Sequence, residues 1–255
     1  DYGKEQGNER AAATGKVIAG MCHFATGRFE NARADLDEAQ AILSGGNHGT
    51  ETNEGRALVY LALTLHILGK SGEANRLMAV ALELARHRRG ADLAVTLGNS
   101  LYLFYMQSNV EQTRRICLEL EHLSEEKGLI MWYHQARFFL GWADALEGAR
   151  SGLEAMEASM NRFRSAHEVV EQSFFYGVLA ERYLAAGNAK RALDNVERGL
   201  KLAERLGERF FEAPLLRLKA KCLTGASNSN NAKAIAELSD QAEKLVRQQG
   251  AAAWV

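Results

Sequence analysis

The chain of 255 residues has one proline and three cysteines. Ordinary proline usage is about 5%, so proline-rich linkers and collagen-like segments are excluded. Three scattered cysteines cannot build a disulfide framework and point to a reducing compartment, so a cytoplasmic location is expected. No apolar run approaches the roughly 20 residues that a membrane-spanning helix needs, and no membrane partner is expected. Neither charge sign is in excess: 31 Lys and Arg stand against 32 Asp and Glu, a formal net charge of −1. Neutralising nucleic-acid phosphates requires a basic surplus, so direct nucleic-acid binding is not expected either. β-Branched residues are sparse, and no stretch alternates apolar and polar positions for long. The chain begins Asp1-Tyr2-Gly3, with no secretory segment, and stops in mid-pattern at Ala251–Val255, which leads us to expect a piece of a longer polypeptide.

What the chain has is repetition. Gly27-Arg28-Phe29-Glu30-Asn31-Ala32, Gly69-Lys70-Ser71-Gly72-Glu73-Ala74 and Gly187-Asn188-Ala189-Lys190-Arg191-Ala192 share a small residue that closes a helical hairpin and an alanine five residues later. Weaker copies begin at Ser108, Gly148 and Asn230, so the anchors fall 42, 39, 40, 39 and 43 residues apart. Fifteen residues after each anchor comes an apolar residue: Ile42, Leu84, Leu123, Phe163, Leu202 and Leu245. Seven before the first five come Gly20, Ala62, Leu101, Gly141 and Ala180, and Ala220 takes that place in the sixth if its loop is longer. A small side chain there lets two helices approach closely. Within each unit the apolar period is helical, as in Leu58, Leu61, Leu65 and Leu68.

This pattern predicts helix pairs at 9–25 with 28–43, 53–68 with 71–87, 90–107 with 109–127, 129–147 with 150–166, 168–186 with 189–206, and 208–223 with 231–249. Residues 250–255 would open a seventh pair. A pair of about 40 residues cannot bury its apolar face alone, and stacking on neighbours supplies a continuous core. The fold class is therefore all-α, an α-solenoid of about six antiparallel helix pairs. Ser44 to Asn53 and Asn228 to Asn231 read as surface loops rather than domain boundaries, so residues 1–255 are expected to form one domain.

The Gly/Ala spacing around the hairpin turn, with alanine at +5 and often at +12 (Ala39, Ala81, Ala242), resembles the tetratricopeptide pattern, although its standard unit is only about 34 residues. The stretches from Tyr60 to Gly69, from Leu179 to Gly187 and from Gly199 to Ala213 resemble the C-terminal tetratricopeptide-like region of large bacterial regulators. Those proteins carry a signal-transduction ATPase, often with an adenylate cyclase or helix-turn-helix output domain. The resemblance covers about residues 17–253. It implies a right-handed superhelix that acts as a sensor or scaffold arm, binding a ligand or protein. It brings no catalytic residues to this arm, and neither the ATPase nor the output domain lies in this sequence.

Local motifs for chemistry are weak. Gly69-Lys70-Ser71 is similar to the end of a phosphate-binding loop, but Thr64 stands where that loop needs its first glycine, and the segment joins two helices. Cys22, Cys117 and Cys222 lie about one hundred residues apart and read as small core residues. The seven histidines are dispersed, so neither a metal nor a cofactor is expected. Arg86-His87-Arg88-Arg89 falls at a helix C-terminus, where cations complement the macrodipole. Paired carboxylates such as Asp35 with Asp37 and Glu125 with Glu126 read as solvated helix faces. Nothing resembles a nucleophile elbow or a catalytic triad, and no enzymatic activity is expected.

The aromatics cluster in the first helices of pairs three to five. By the resemblance, the first helix of each pair lines the concave surface. Counting back six, three and ten residues from each anchor then places His66, Tyr102, Tyr105, Phe138 and Trp142 on the groove, with Gln135, Arg137 and Glu181 nearby. Aromatic side chains with a polar handle favour recognition. The competing reading is that long helices bury these rings between layers. The expected function is recognition of a peptide, partner domain or small-molecule effector in the groove. The alternative is a structural scaffold for self-association of a larger enzyme, as a homodimer through a terminal repeat.

Overall fold

The computed structural model describes residues 9–44, 52–88, 90–165, 171–225 and 231–254. Among these residues there are twelve α-helices and no strand. They are α1 (Glu9–Ala25), α2 (Phe29–Ser44), α3 (Thr52–Ile67), α4 (Ser71–Arg88), α5 (Ala91–Met106), α6 (Val110–Lys127), α7 (Ile130–Leu146), α8 (Arg150–Ser165), α9 (Gln172–Ala185), α10 (Ala189–Leu206), α11 (Glu212–Gly225) and α12 (Ala232–Gln249). Helices adjacent in sequence pack together, as α2 does on α3, α3 on α4 and α9 on α10. First helices of successive pairs also touch, α3 with α5 and α9 with α11. This is the nearest-neighbour packing of an all-α solenoid of six antiparallel helix pairs.

The turns explain why the repeat breaks where it does. Gly27, Gly69, Gly148 and Gly187 all take the left-handed conformation, with φ of 71°, 85°, 85° and 77°. That conformation lets the next residue's N–H reach back five positions. Arg28 donates to the His23 carbonyl at 2.8 Å, Lys70 to Leu65 at 2.8 Å, and Asn188 to Tyr183 at 2.9 Å. The bond satisfies a carbonyl that the helix end leaves without a partner. Gly69-Lys70-Ser71 is therefore a hairpin turn. Ser108 makes the same turn at φ 52°, with Asn109 N–H donating to Phe104 at 2.8 Å. The sixth anchor, Asn230, lies outside the described residues, as do most of the two loops read at 44–53 and 228–231. Asn109 and Asn188 then cap α6 and α10 by accepting from the Gln112 and Arg191 N–H groups, both at 3.1 Å. The only proline, Pro214, sits in the first turn of α11, where an N–H would have no helical partner.

The chain divides into two compact units. The first holds the described residues through 24, 28–132 and 249–253; the second holds 25–27, 133–248 and 254. In the first, Ala32, Ala39, Ala74 and Ala81, at +5 and +12 from their anchors, are wholly buried. Gly20 allows α1 to meet α2 closely: a Cβ there would lie 2.5 Å from Leu36 Cγ. Gly98 makes room for an aromatic ring, since a Cβ on it would come within 2.2 Å of the Trp132 indole. Phe24 packs edge-on against Phe29 and Tyr60.

Charges in this unit bridge helices more than the sequence suggested. Asp35 is not simply solvated: it takes Lys16 Nζ at 2.9 Å and His23 Nδ1 at 2.8 Å. Arg86 forms a two-bond pair with Glu119, at 2.9 and 2.7 Å, and Arg88 pairs with Glu54. These cations tie α4 to α6 and to α3, besides standing at a helix C-terminus. Arg89 lies outside the described residues. Cys117 and Cys222 are buried as expected, but Cys22 is exposed on α1.

The second unit is built around stacked rings. Phe138 meets Phe175 edge-on at 5.0 Å, Phe174 meets Phe211 at 4.8 Å, and Phe139 lies 6.4 Å from Phe174. Gly177 leaves the space that Phe211 fills; a Cβ there would come within 2.7 Å of the ring. Gly141 and Gly152 let α7 and α8 touch backbone to backbone. Ala213, Leu216, Ala242, Leu245 and Val246 close the core between α11 and α12.

Two helix starts differ from the pattern for one reason. α9 begins at Gln172 rather than 168, and α11 at Glu212 rather than 208. Glu208 is left out of a helix because its carboxylate caps α9, accepting from the Glu171 N–H at 2.7 Å and the Ser173 hydroxyl at 2.6 Å. Nor do the last residues open a seventh pair. Gly250 turns the chain at φ 64°, and a short 3-10 turn (Ala252–Trp254) sets the Trp254 ring edge-on against Phe211 at 5.6 Å.

Ser108→Gly is expected to stabilise the protein, because the left-handed region costs a non-glycine residue about 1 kcal/mol. A rise in melting temperature of about 2 °C should follow. Gly141→Ala should lower stability by about 1–3 kcal/mol through overpacking, since its Cβ would lie 2.6 Å from the Gly152 carbonyl oxygen. Thermal and denaturant unfolding check both, and a neutral Gly141→Ala would contradict the close crossing.

Candidate functional site: a charged cleft on the second helices

The seven residues singled out from the sequence are divided between the units. In the first, His66 and Tyr102 are buried and Tyr105 is half-buried. His66 Nδ1 lies 3.0 Å from the Ser71 hydroxyl at the start of α4, and burial lowers its pKa. In the second, Gln135, Phe138 and Trp142 are buried, the latter two at 0% and 2% exposure. Glu181 is half-exposed and accepts from Arg182 Nη2 at 2.9 Å. Phe138 and Trp142 are therefore core side chains. The reason lies in the row ten residues before each anchor. It includes Gly98 and Phe138, which receive Trp132 and Phe175 from the following first helix, and Gly177, which receives Phe211 from the turn just before α11. This row joins layers. Tyr105 and Glu181 retain surface among the seven.

A different set of side chains lines open space in the second unit. Two adjoining cavities, of about 430 and 260 Å³, run between α8 and α10 over a floor made by α9. The larger is walled by Arg150, Leu153, Glu154 and Glu157 of α8 and by Asn188 and Arg191, with Tyr183 and Ala186 at its base. The smaller continues past Glu157 and Arg191 to Met160, Asn161, Asp194, Asn195 and Arg198, over Tyr176 and Leu179. The α8 wall, from residue 150 to 161, rises about 16 Å at the helical 1.5 Å per residue. Three arginines face three carboxylates, so the cleft is neutral overall and charged throughout.

Its centre is a three-way contact. Arg191 Nη1 donates to Glu157 Oε1 at 3.1 Å and to the Tyr183 hydroxyl at 3.0 Å. The guanidinium carbon lies 5.4 Å from the Tyr183 ring centroid, within cation–π range. Burial, reinforced by the hydrogen bond to Glu157, pushes the Tyr183 phenol up to about 12, against the opposing pull of Arg191. The phenol therefore stays protonated at neutral pH. Among the described residues, Arg191 Nε and Nη2 have no protein partner. Asp194 and Arg198, on the same face of α10, have no ion-pair partner there either.

Sequence reasoning placed Tyr183 among the aromatics but missed Glu157, Arg191 and the α10 face. A signal exists in the spacing. Glu157 and Arg191 are 34 residues apart, as are Glu54 and Arg88, and Arg86 and Glu119 are 33 apart. Two of these ion pairs join second helices of successive pairs, whereas Glu54 and Arg88 join the two helices of one pair.

The buried imidazole of His66 makes stability depend on pH. An unfolded histidine titrates near 6.5, whereas burial holds folded His66 below that value. The unfolded chain thus takes up the proton first as pH falls. The contribution of neutral His66 is whole above about pH 6.5 and is lost as pH drops through the folded value. The fall in melting temperature from about pH 7 to about pH 5 should be shallower in His66→Gln than in the parent; equal falls would contradict this. A scan of protein-family models and a search of curated proteins each find no match to this chain.

Proposed function

We propose that the chain is a non-enzymatic recognition solenoid, the regulatory arm of a larger bacterial signalling protein, that binds a protein or peptide partner. The reading rests on one observation: the open cleft between α8 and α10, lined by charges of both signs over a floor of Tyr176, Leu179 and Tyr183. Such a surface offers directional bonds at its walls and apolar contact at its base, the anatomy of a recognition site. The perturbed thiol and phenol also favour binding over catalysis. Burial pushes Cys117 upward, and Tyr183 is held protonated, so neither is a ready nucleophile at neutral pH. The cytoplasmic placement expected from the cysteine usage and the right-handed superhelix implied by the resemblance belong to this same reading.

A random peptide library panned on the purified chain tests it. The counter-selection uses a variant carrying Glu157→Ala, Arg191→Ala and Arg198→Ala. Enrichment of sequences that bind the parent and not the variant is expected. Equal recovery on both would contradict the cleft as the binding site.

A second reading, self-association, draws on α1. Ala11, Gly15, Ile18 and Cys22 recur at helical spacing and are all exposed, with Ile18 at 57%. A stripe this apolar on α1 suits a symmetric contact with a second copy. Sedimentation over a hundredfold concentration range would then show a monomer–dimer transition that Ile18→Lys abolishes. A monomer throughout would remove this reading.

A further inference from the structure

We infer that the partner of the α8–α10 cleft is an α-helix carrying an acidic, a basic and an acidic side chain in that order along one face. The inference rests on the cleft being the recognition site. Arg191, Asp194 and Arg198 all line it from α10, forming a plus–minus–plus ladder at i, i+3 and i+7. Each member has bonding capacity to spare. Arg191 uses Nη1 for Glu157 and Tyr183 and leaves Nε and Nη2 without a protein partner among the described residues. That edge is the one through which a guanidinium takes a carboxylate by two parallel bonds. The Tyr183 ring and hydroxyl already hold the guanidinium in place, so little side-chain freedom remains to be lost on binding. Asp194 and Arg198 have no charged partner among the described residues.

Spacing selects a helix over an extended strand. Along α10 the three charges rise by about 4.5 and then 6 Å. A strand repeats on one face at about 6.7 Å and cannot match both intervals. A helix running parallel to α10 matches them with charges at i, i+3 and i+7, and an antiparallel one with i, i+4 and i+7. The shape agrees. The Glu157–Arg191 bridge divides the cleft into lobes of about 430 and 260 Å³. Side chains can enter each lobe from above, whereas a chain threaded lengthwise would have to break the bridge.

Stapled helical peptides test the ladder by fluorescence anisotropy at low salt. One set carries Glu, Lys and Glu at either spacing, and its twin carries Lys, Glu and Lys. We expect the first set to bind the parent about tenfold more tightly than the twin. Arg191→Ala should weaken the first set about tenfold and leave the twin unchanged. The double variant Asp194→Lys with Arg198→Glu, both surface positions, should erase or invert the preference, with circular dichroism confirming the fold. Equal binding of the two sets by the parent, or a preference that survives the double variant, overturns the inference. If the library selection still depends on the cleft in that case, the recognition reading stands and only the helical partner falls. If the library selection also shows no such dependence, both fall.

Discussion

Successive first helices meet by setting an aromatic ring of one into space left by the helix before it. Trp132 lies over Gly98, Phe211 fills the gap at Gly177, and Phe175 stands edge-on to Phe138. A lone helix pair has no way to bury these rings, so each pair depends on the next for its core. The close crossings at Gly20 and at Gly141 with Gly152 serve the same end within a pair. At the first of these crossings Ala32, on α2, is wholly buried.

That constraint has a consequence for function. Rings committed to joining layers are not available to a partner, and in the second unit they are committed almost completely: Phe138, Phe139 and Phe174 have no exposed surface. In the proposed function, recognition falls to side chains outside the layer contact. The second helices α8 and α10 carry such side chains, with polar walls whose charges are only partly satisfied by one another. Tyr183 joins the two roles. Its ring is buried in the floor, while its hydroxyl and face position Arg191 at the cleft surface.

The parts of the fold legible in the sequence were those with a local cause. Gly27, Gly69, Gly148 and Gly187 stand at turns because a left-handed residue is needed there, and glycine meets that need without steric cost. Alanine at +5 and +12 follows from a helix crossing that admits no larger side chain. Ser108 marked its turn poorly because it makes the left-handed bend without glycine. What stayed hidden depends on partners a layer away. Whether Phe138 faces a groove or a neighbour is decided by Phe175, 37 residues on. The use of Glu208 as a cap for α9 is equally invisible locally, since Ser173 lies 35 residues earlier. The cleft was missed because the resemblance directed attention to first helices, while its walls belong to second ones.

The most direct test of this account is the equilibrium unfolding of Phe138→Ala. As a wholly buried ring seated between layers, Phe138 should cost about 3–5 kcal/mol on truncation, with the loss seen as a lower denaturant midpoint. A variant whose stability stays within about 0.5 kcal/mol of the parent would contradict the layered aromatic core and return Phe138 to an open groove.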